Sequence, residues 1–257
     1  MIGFLLCALP MNAQYVKIDY AGDPLSEKER GKIEDFLRYE VGFYARFGLP
    51  DTLKIKLTIF DRHEDGEAYI ESLGLPSLLS LSRTSGAYIR QKGEAVLLGR
   101  EKGKERSLSV IYHELSHHFT AQVTGNRPPS WLMEGLAEYF EHCEISKGKL
   151  KHSLTSYEKG RIKTMYMLGE INLKEFVDAD RRLFMKKQRT DESYAYILAH
   201  AVTTFWVEDV PEELLKRLFE SLRDKTDKSP VSVRIDRIYP GGLKKFEQDF
   251  AETYSGG

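Results

Sequence analysis

A chain of 257 residues is long enough for one large domain or a catalytic unit of two lobes. A hydrophobic fraction of 41% and a net charge of −1 describe an ordinary globular protein and give nucleic acid or anionic lipid no bulk charge to seek. Beyond the first residues, nothing reaches the roughly 18 consecutive apolar residues of an integral membrane segment.

The chain opens with Met1-Ile2-Gly3-Phe4-Leu5-Leu6-Cys7-Ala8-Leu9-Pro10-Met11-Asn12-Ala13, an apolar core with a small-residue end, as in a secretory signal peptide. Residues 1–13 are therefore read as a leader, and the protein as exported, periplasmic or extracellular. Because no Lys or Arg precedes the apolar stretch, a truncated start and a buried first strand are the competing readings. Cys7 follows bulky Phe4-Leu5-Leu6, which does not suit lipidation. Cys143 would then be alone in the mature chain, so stability falls to packing and any bound ion. His142-Cys143 has no partner at a zinc-ligand spacing and is read as structural.

Tyr15 to Tyr20 suggests a short strand. Ser26-Glu27-Lys28-Glu29 opens a helix carrying Ile33, Phe36, Leu37, Val41 and Tyr44, and the helix stops near Gly48-Leu49-Pro50. Leu53 to Phe60 alternates apolar and polar residues, the period of a strand with one buried face. A short helix from Glu67 to Leu73 and a loop come next. Gly86 to Arg90 and Ala95 to Gly99 then flank Gln91-Lys92-Gly93-Glu94 as a hairpin. Arg100 to Arg106 is a charged linker.

The chemistry sits in the next segment. His113-Glu114-Leu115-Ser116-His117 places two histidines at i and i+4 on one helix face, while Glu114 is turned away by roughly 100°. Two imidazoles can close on one ion, and the offset carboxylate can reach a metal-bound water. Leu108, Ile111, Leu115 and Phe119 recur at helical spacing, with Ser107 as the expected cap. Gly125 and Asn126-Arg127-Pro128-Pro129 end this helix. Ser130 is the expected cap of a second helix through Trp131, Leu132, Leu136, Ala137, Tyr139 and Phe140, which carries Glu134. A carboxylate joining two imidazoles makes a three-ligand zinc set with a fourth position open. Glu138, one turn after Glu134, can accept a hydrogen bond from the outer nitrogen of a ligand histidine. For Glu138 and Glu141 a solvated helix face is the competing reading. His118 faces elsewhere and is read as structural or exposed.

So short a pattern as H-E-x-x-H arises by accident in roughly one chain in a hundred, so the second segment gives it its weight. The pair HELSHH and WLMEGLAEYFE resembles the active-site signature of the gluzincin metallopeptidases, in particular the peptidase-MA-like families of bacterial envelope proteins. The resemblance implies an α+β, zincin-like (thermolysin-like) fold: an N-terminal lobe over 14–145 with a mixed sheet and the active-site helix, and a mainly helical lobe over 146–257. It implies one zinc ion held by His113, His117 and Glu134, with Glu114 as general base in the hydrolysis of a peptide or protein substrate. It also implies an edge strand lining the cleft, so that Gly86 and Ala87 could pair with an extended substrate. A tyrosine downstream of the glutamate ligand is expected as the second oxyanion donor; Tyr194 is preferred, with Tyr196 and His200 as alternatives. The glutamate-containing glycine-rich segment of the aminopeptidase branch has no counterpart near Gly86-Ala87-Tyr88, which favours internal cleavage. A non-catalytic peptide- or protein-binding module on the same fold is the alternative, and a helical structural protein with accidental histidines a third.

After Glu144 the pattern is mainly helical, with segments near Ser156 to Leu168, Ser193 to Val207, Pro211 to Leu222 and Gly242 to Tyr254. Leu173, Phe176 and Val177 form a shorter apolar element, and Asp224 to Pro230 an exposed connector.

Overall fold

The computed structural model describes residues 16–22, 24–49, 54–79, 85–100, 106–126, 128–146, 149–191 and 194–255. The leader proposed at 1–13 lies outside them. The architecture is α+β. The chain divides into two compact units, one comprising Met1–Phe119 with Ile145–Leu150, the other Thr120–Glu144 with Lys151–Gly257. This division falls inside a helix.

The first unit is built on a four-stranded sheet of order β1-β2-β4-β3, from β1 (Val16–Tyr20), β2 (Ile55–Ile59), β3 (Gly86–Ile89) and β4 (Glu94–Leu97). β1, β2 and β4 run parallel, and β3 joins antiparallel at the edge, with Gly86 opposite Leu97 and Ile89 opposite Glu94. The expected hairpin is thus present, turned by Arg90–Lys92 and by Gly93 at φ 57°, a left-handed backbone that suits glycine. β2 and β4 are interior strands, and every residue of β4 is buried, as strands covered on both faces require.

Three helices cover this sheet. The first, α1 (Glu27–Ala45), begins with the expected capping box, Ser26 accepting from the Glu29 amide while Glu29 accepts from the Ser26 backbone. The second, α2 (His63–Ser72), starts four residues before the expected Glu67. Alternation along β3 divides its contacts. Ala87 and Ile89 join Ile70 of α2, Phe60, Val96 and Leu98 in one apolar cluster, whereas Gly86 and Tyr88 face the third helix, α3 (Arg106–Val123). Because α3 already includes Arg106, Ser107 lies within the helix and is not its cap.

The second unit centres on α8 (Tyr194–Thr204), where every residue except Tyr196 is buried. α4 (Ser130–Glu141) packs along it. The N-cap of α4 is Pro129, so Ser130 is the first helical residue rather than the expected cap; proline preset at φ −63° serves where an amide donor is dispensable. Gly135 makes the α4–α8 approach possible. A Cβ there would lie 2.1 Å from Thr203 Oγ1 and 2.3 Å from the Ala199 carbonyl oxygen. After α8 the chain widens into a π-helical turn, Phe205–Asp209.

Around these lie α5 (Ser156–Met167), α6 (Leu173–Asp178), α7 (Arg181–Thr190), α9 (Glu212–Arg223), α10 (Val231–Ile238) and α11 (Gly242–Tyr254). Trp206, Tyr239, Phe246 and Phe250 form an aromatic cluster between the π turn, α10 and α11. A hairpin of β5 (Cys143–Ser146) and β6 (Lys149–His152) follows α4, where no strand is expected. Cys143 is buried. No helix among the described residues is long and apolar enough to cross a membrane.

Candidate metal centre

The rotation of α3 about its axis is set by α1. Phe36 stacks on Tyr112 at 4.0 Å, Tyr44 stacks on Phe119 at 5.7 Å, and between these pairs Ser116 Oγ donates to Glu40 Oε1 at 2.6 Å. Glu40 is fully buried, and desolvation holds its carboxyl well above the usual range although the Ser116 hydroxyl acts the other way. With Tyr112, Ser116 and Phe119 committed to α1, the helical step of about 100° carries His113 and His117 onto the next face. Their rings meet nearly at right angles, 88°, with centroids 4.8 Å apart. Glu114 Oε2 lies 3.9 Å from His117 Nε2, and ligand atoms of His113, Glu114 and His117 all fall within 4.8 Å of one another. The motif is therefore assembled on the helix as its spacing requires. Two imidazole nitrogens beside a carboxylate suit a borderline divalent cation such as zinc.

β3 runs along the same helix. A Cβ on Gly86 would stand 2.7 Å from Val110 Cγ1 and 2.8 Å from both Cγ and Oε1 of Glu114, so a side chain there would have to displace this carboxylate. Two residues on, the Tyr88 hydroxyl and His118 Nδ1 are hydrogen-bonded at 2.9 Å, and the Tyr88 ring stands 6.1 Å from that of His117. Burial pushes Tyr88 up to about 12 and His118 down to about 4. His118 is thus a neutral, buried histidine that ties the helix to the strand. Ala87, expected with Gly86 to meet substrate, turns its methyl into the α2 cluster and offers a ligand only its backbone.

The other predicted residues belong to the second unit. Glu134 is buried on α4 and forms an ion pair through Oε1 with Arg181 at the start of α7. Arg181 is also hydrogen-bonded to Tyr196. Glu138, one turn on from Glu134, has Oε2 3.7 Å from His142 Nδ1. Tyr194, the preferred oxyanion donor, donates its hydroxyl to the Glu170 carbonyl at 3.0 Å, packs edge-on against Phe176, and is raised above its ordinary pKa chiefly by burial. His200 is fully buried, 2.7 Å from Glu158 through Nδ1 and 2.8 Å from His152 through Nε2. Among the three candidate donors, Tyr196 is the one bonded to the cation that holds Glu134.

Arg181 is absent from the residues singled out in the sequence. Its place in Asp180-Arg181-Arg182, just after a helix-capping aspartate, reads locally as a charged helix start, and only folding brings it to Glu134. A family model described as a protein of unknown function (DUF1570) matches residues 107–232, from the first turn of α3 to the start of α10. Neither the curated proteins nor the solved structures gave a match.

Proposed function

We propose that this protein is an exported zinc metallopeptidase of gluzincin type that cleaves peptide bonds internally, on a zincin-like fold. The single observation that carries the reading is the convergence of His113, Glu114 and His117 on one turn of α3. His113 and His117 supply two imidazole nitrogens. Glu134 is assigned as the third ligand from its place in Trp131-Leu132-Met133-Glu134-Gly135-Leu136-Ala137, and Arg181 orients its carboxylate. When bound, zinc polarises the scissile carbonyl and lowers the pKa of the attacking water from that of bulk water toward about 7.

Glu114 takes the proton of that water and delivers it to the leaving amine. Gly86 keeps β3 close enough to hold the Glu114 carboxylate in place. β3 is an edge strand of the sheet, so backbone groups at Gly86 and Ala87 can add an extended substrate as a further strand. Arg181, which would orient Glu134 as a ligand, is itself bonded to Tyr196. Tyr196, rather than Tyr194 with its hydroxyl given to Glu170, is then the oxyanion donor.

The test is Glu114→Gln. Zinc content should be unchanged while hydrolysis of an unfolded protein substrate falls by about 10²–10⁴-fold, the usual contribution of a general base. Undiminished hydrolysis in that variant overturns the assignment. A zinc-loaded wild-type protein that binds unfolded chains and cleaves none would make it a binding module.

A further inference from the structure

A second group of histidines and carboxylates lies wholly within the second unit and takes no part in the chemistry above. His142 caps the C-terminus of α4, His152 ends β6 and His200 lies inside α8. Each has Nδ1 next to an oxygen: His200 on Glu158 Oε1 at 2.7 Å, His152 on Glu208 Oε1 at 2.8 Å, His142 on the Glu138 carbonyl at 2.9 Å. A carbonyl accepts only. So does Glu158, whose other oxygen already receives the Thr155 amide and hydroxyl at 2.7 Å each.

Proton counting then exposes a conflict. If each Nδ1 carries its proton toward its oxygen, each neutral ring is left with a lone pair on Nε2. Yet His152 Nε2 and His200 Nε2 stand 2.8 Å apart, with both side chains wholly buried. Two lone pairs at that distance repel unless a cation joins them. A proton could join two nitrogens and no more. The same place also gathers His142 and Glu138, whose ligand atoms lie within 4.8 Å of each other and of a His200 nitrogen. Imidazoles whose outer N–H is fixed by a carboxylate or carbonyl are the usual support of a metal-binding histidine.

We propose that His142, His152 and His200, with Glu138, form a second metal site, built on histidines other than His113 and His117, for a divalent transition ion of the zinc, cobalt, nickel or copper kind. The nitrogen-rich donor set disfavours magnesium and calcium. Glu138, Glu158 and Glu208 offset the ion's charge. The π-helical turn that carries Glu208 departs from α-helical spacing at the point where its carboxylate meets His152, a common use of such turns. His142 and Glu138 are partly open to solvent, at 33% and 16%, and give the ion its way in.

The experiment is cobalt(II) titration of the chelator-stripped full chain, read by visible absorption and by bound metal per chain. Wild type should take two equivalents, and the His113→Ala/His117→Ala variant should keep one. In that background His142→Ala, a change at a partly exposed position, should weaken the remaining equivalent at least tenfold and alter its absorption bands. His152→Ala should do the same, with far-ultraviolet circular dichroism confirming that both variants are folded. The proposal is overturned if the His113→Ala/His117→Ala variant binds no metal, as a proton-bridged cluster would behave, or if its equivalent ignores both further substitutions. The outcome is separable from the peptidase reading. A wild-type protein whose metal is removed by His142→Ala/His152→Ala and untouched by His113→Ala/His117→Ala would sink that reading and leave this one standing.

Discussion

One helical step separates His117 from His118, and the two have different work. His117 faces His113, while His118 is buried against Tyr88 and the turn at Gly93, where a Cβ would lie 3.4 Å from its ring. Burial lowers His118 from 6.5 to about 4. The unfolded chain therefore binds this proton more readily than the folded one. The contribution to stability is complete above pH 6.5 and is lost as pH falls from 6.5 toward 4, on the order of 3 kcal/mol. Denaturant unfolding from pH 7 to pH 4 should show this slope in the wild type and a flatter one in His118→Phe, which fills the site without a titratable ring. Parallel slopes in the two proteins would refute the assignment.

Elements, in this chain, are placed by what they must avoid as much as by what they bury. α4 and α8 meet at Gly135, where an added methyl would strike a backbone carbonyl that cannot rotate aside. Gly135→Ala gains about 1 kcal/mol of helix propensity. Overpacking costs about 1–3 kcal/mol and more where backbone must shift. The second effect wins, and the variant should unfold at lower denaturant concentration with an unchanged m-value; a rise in the midpoint would contradict the close approach. Patterning served some elements better than others. α1 was readable from its Ser26–Glu29 box and its apolar spacing, and α11 over its whole length. α7 was not, since Arg181-Arg182-Leu183-Phe184-Met185-Lys186-Lys187 is mostly polar and Phe184 is its one fully buried side chain among the described residues. α10 is only eight residues long, and β5 and β6 four each, too short for a period to emerge.

For the molecule as a whole, bound ions add to folding by mass action. An ion present at 1,000 times its dissociation constant stabilises by about 4 kcal/mol, and each kcal/mol moves the midpoint of a domain this large by about 2–4 °C. Stripping the protein with a strong chelator should lower the thermal midpoint by roughly 10 °C, and zinc should restore it. His113→Ala/His117→Ala should show a smaller drop on chelation than the wild type, because the proposed second site is left in place. A midpoint indifferent to chelator in both proteins would count against either site.

What could be read from residue order is the chemistry that one helix carries by itself. His113, Glu114 and His117 lie within five positions, and helix geometry alone brings them together. The α+β class and the hairpin before α3 were legible for the same reason, since each depends on local periods and turns. Residues scattered along the chain have no such rule. Arg181 reaches Glu134, Glu40 reaches Ser116, and His142, His152 and His200 meet only because distant elements pack. No spacing in the sequence encodes those meetings. They follow from burying apolar faces, which draws polar groups into enclosed places where each must find a partner of opposite need.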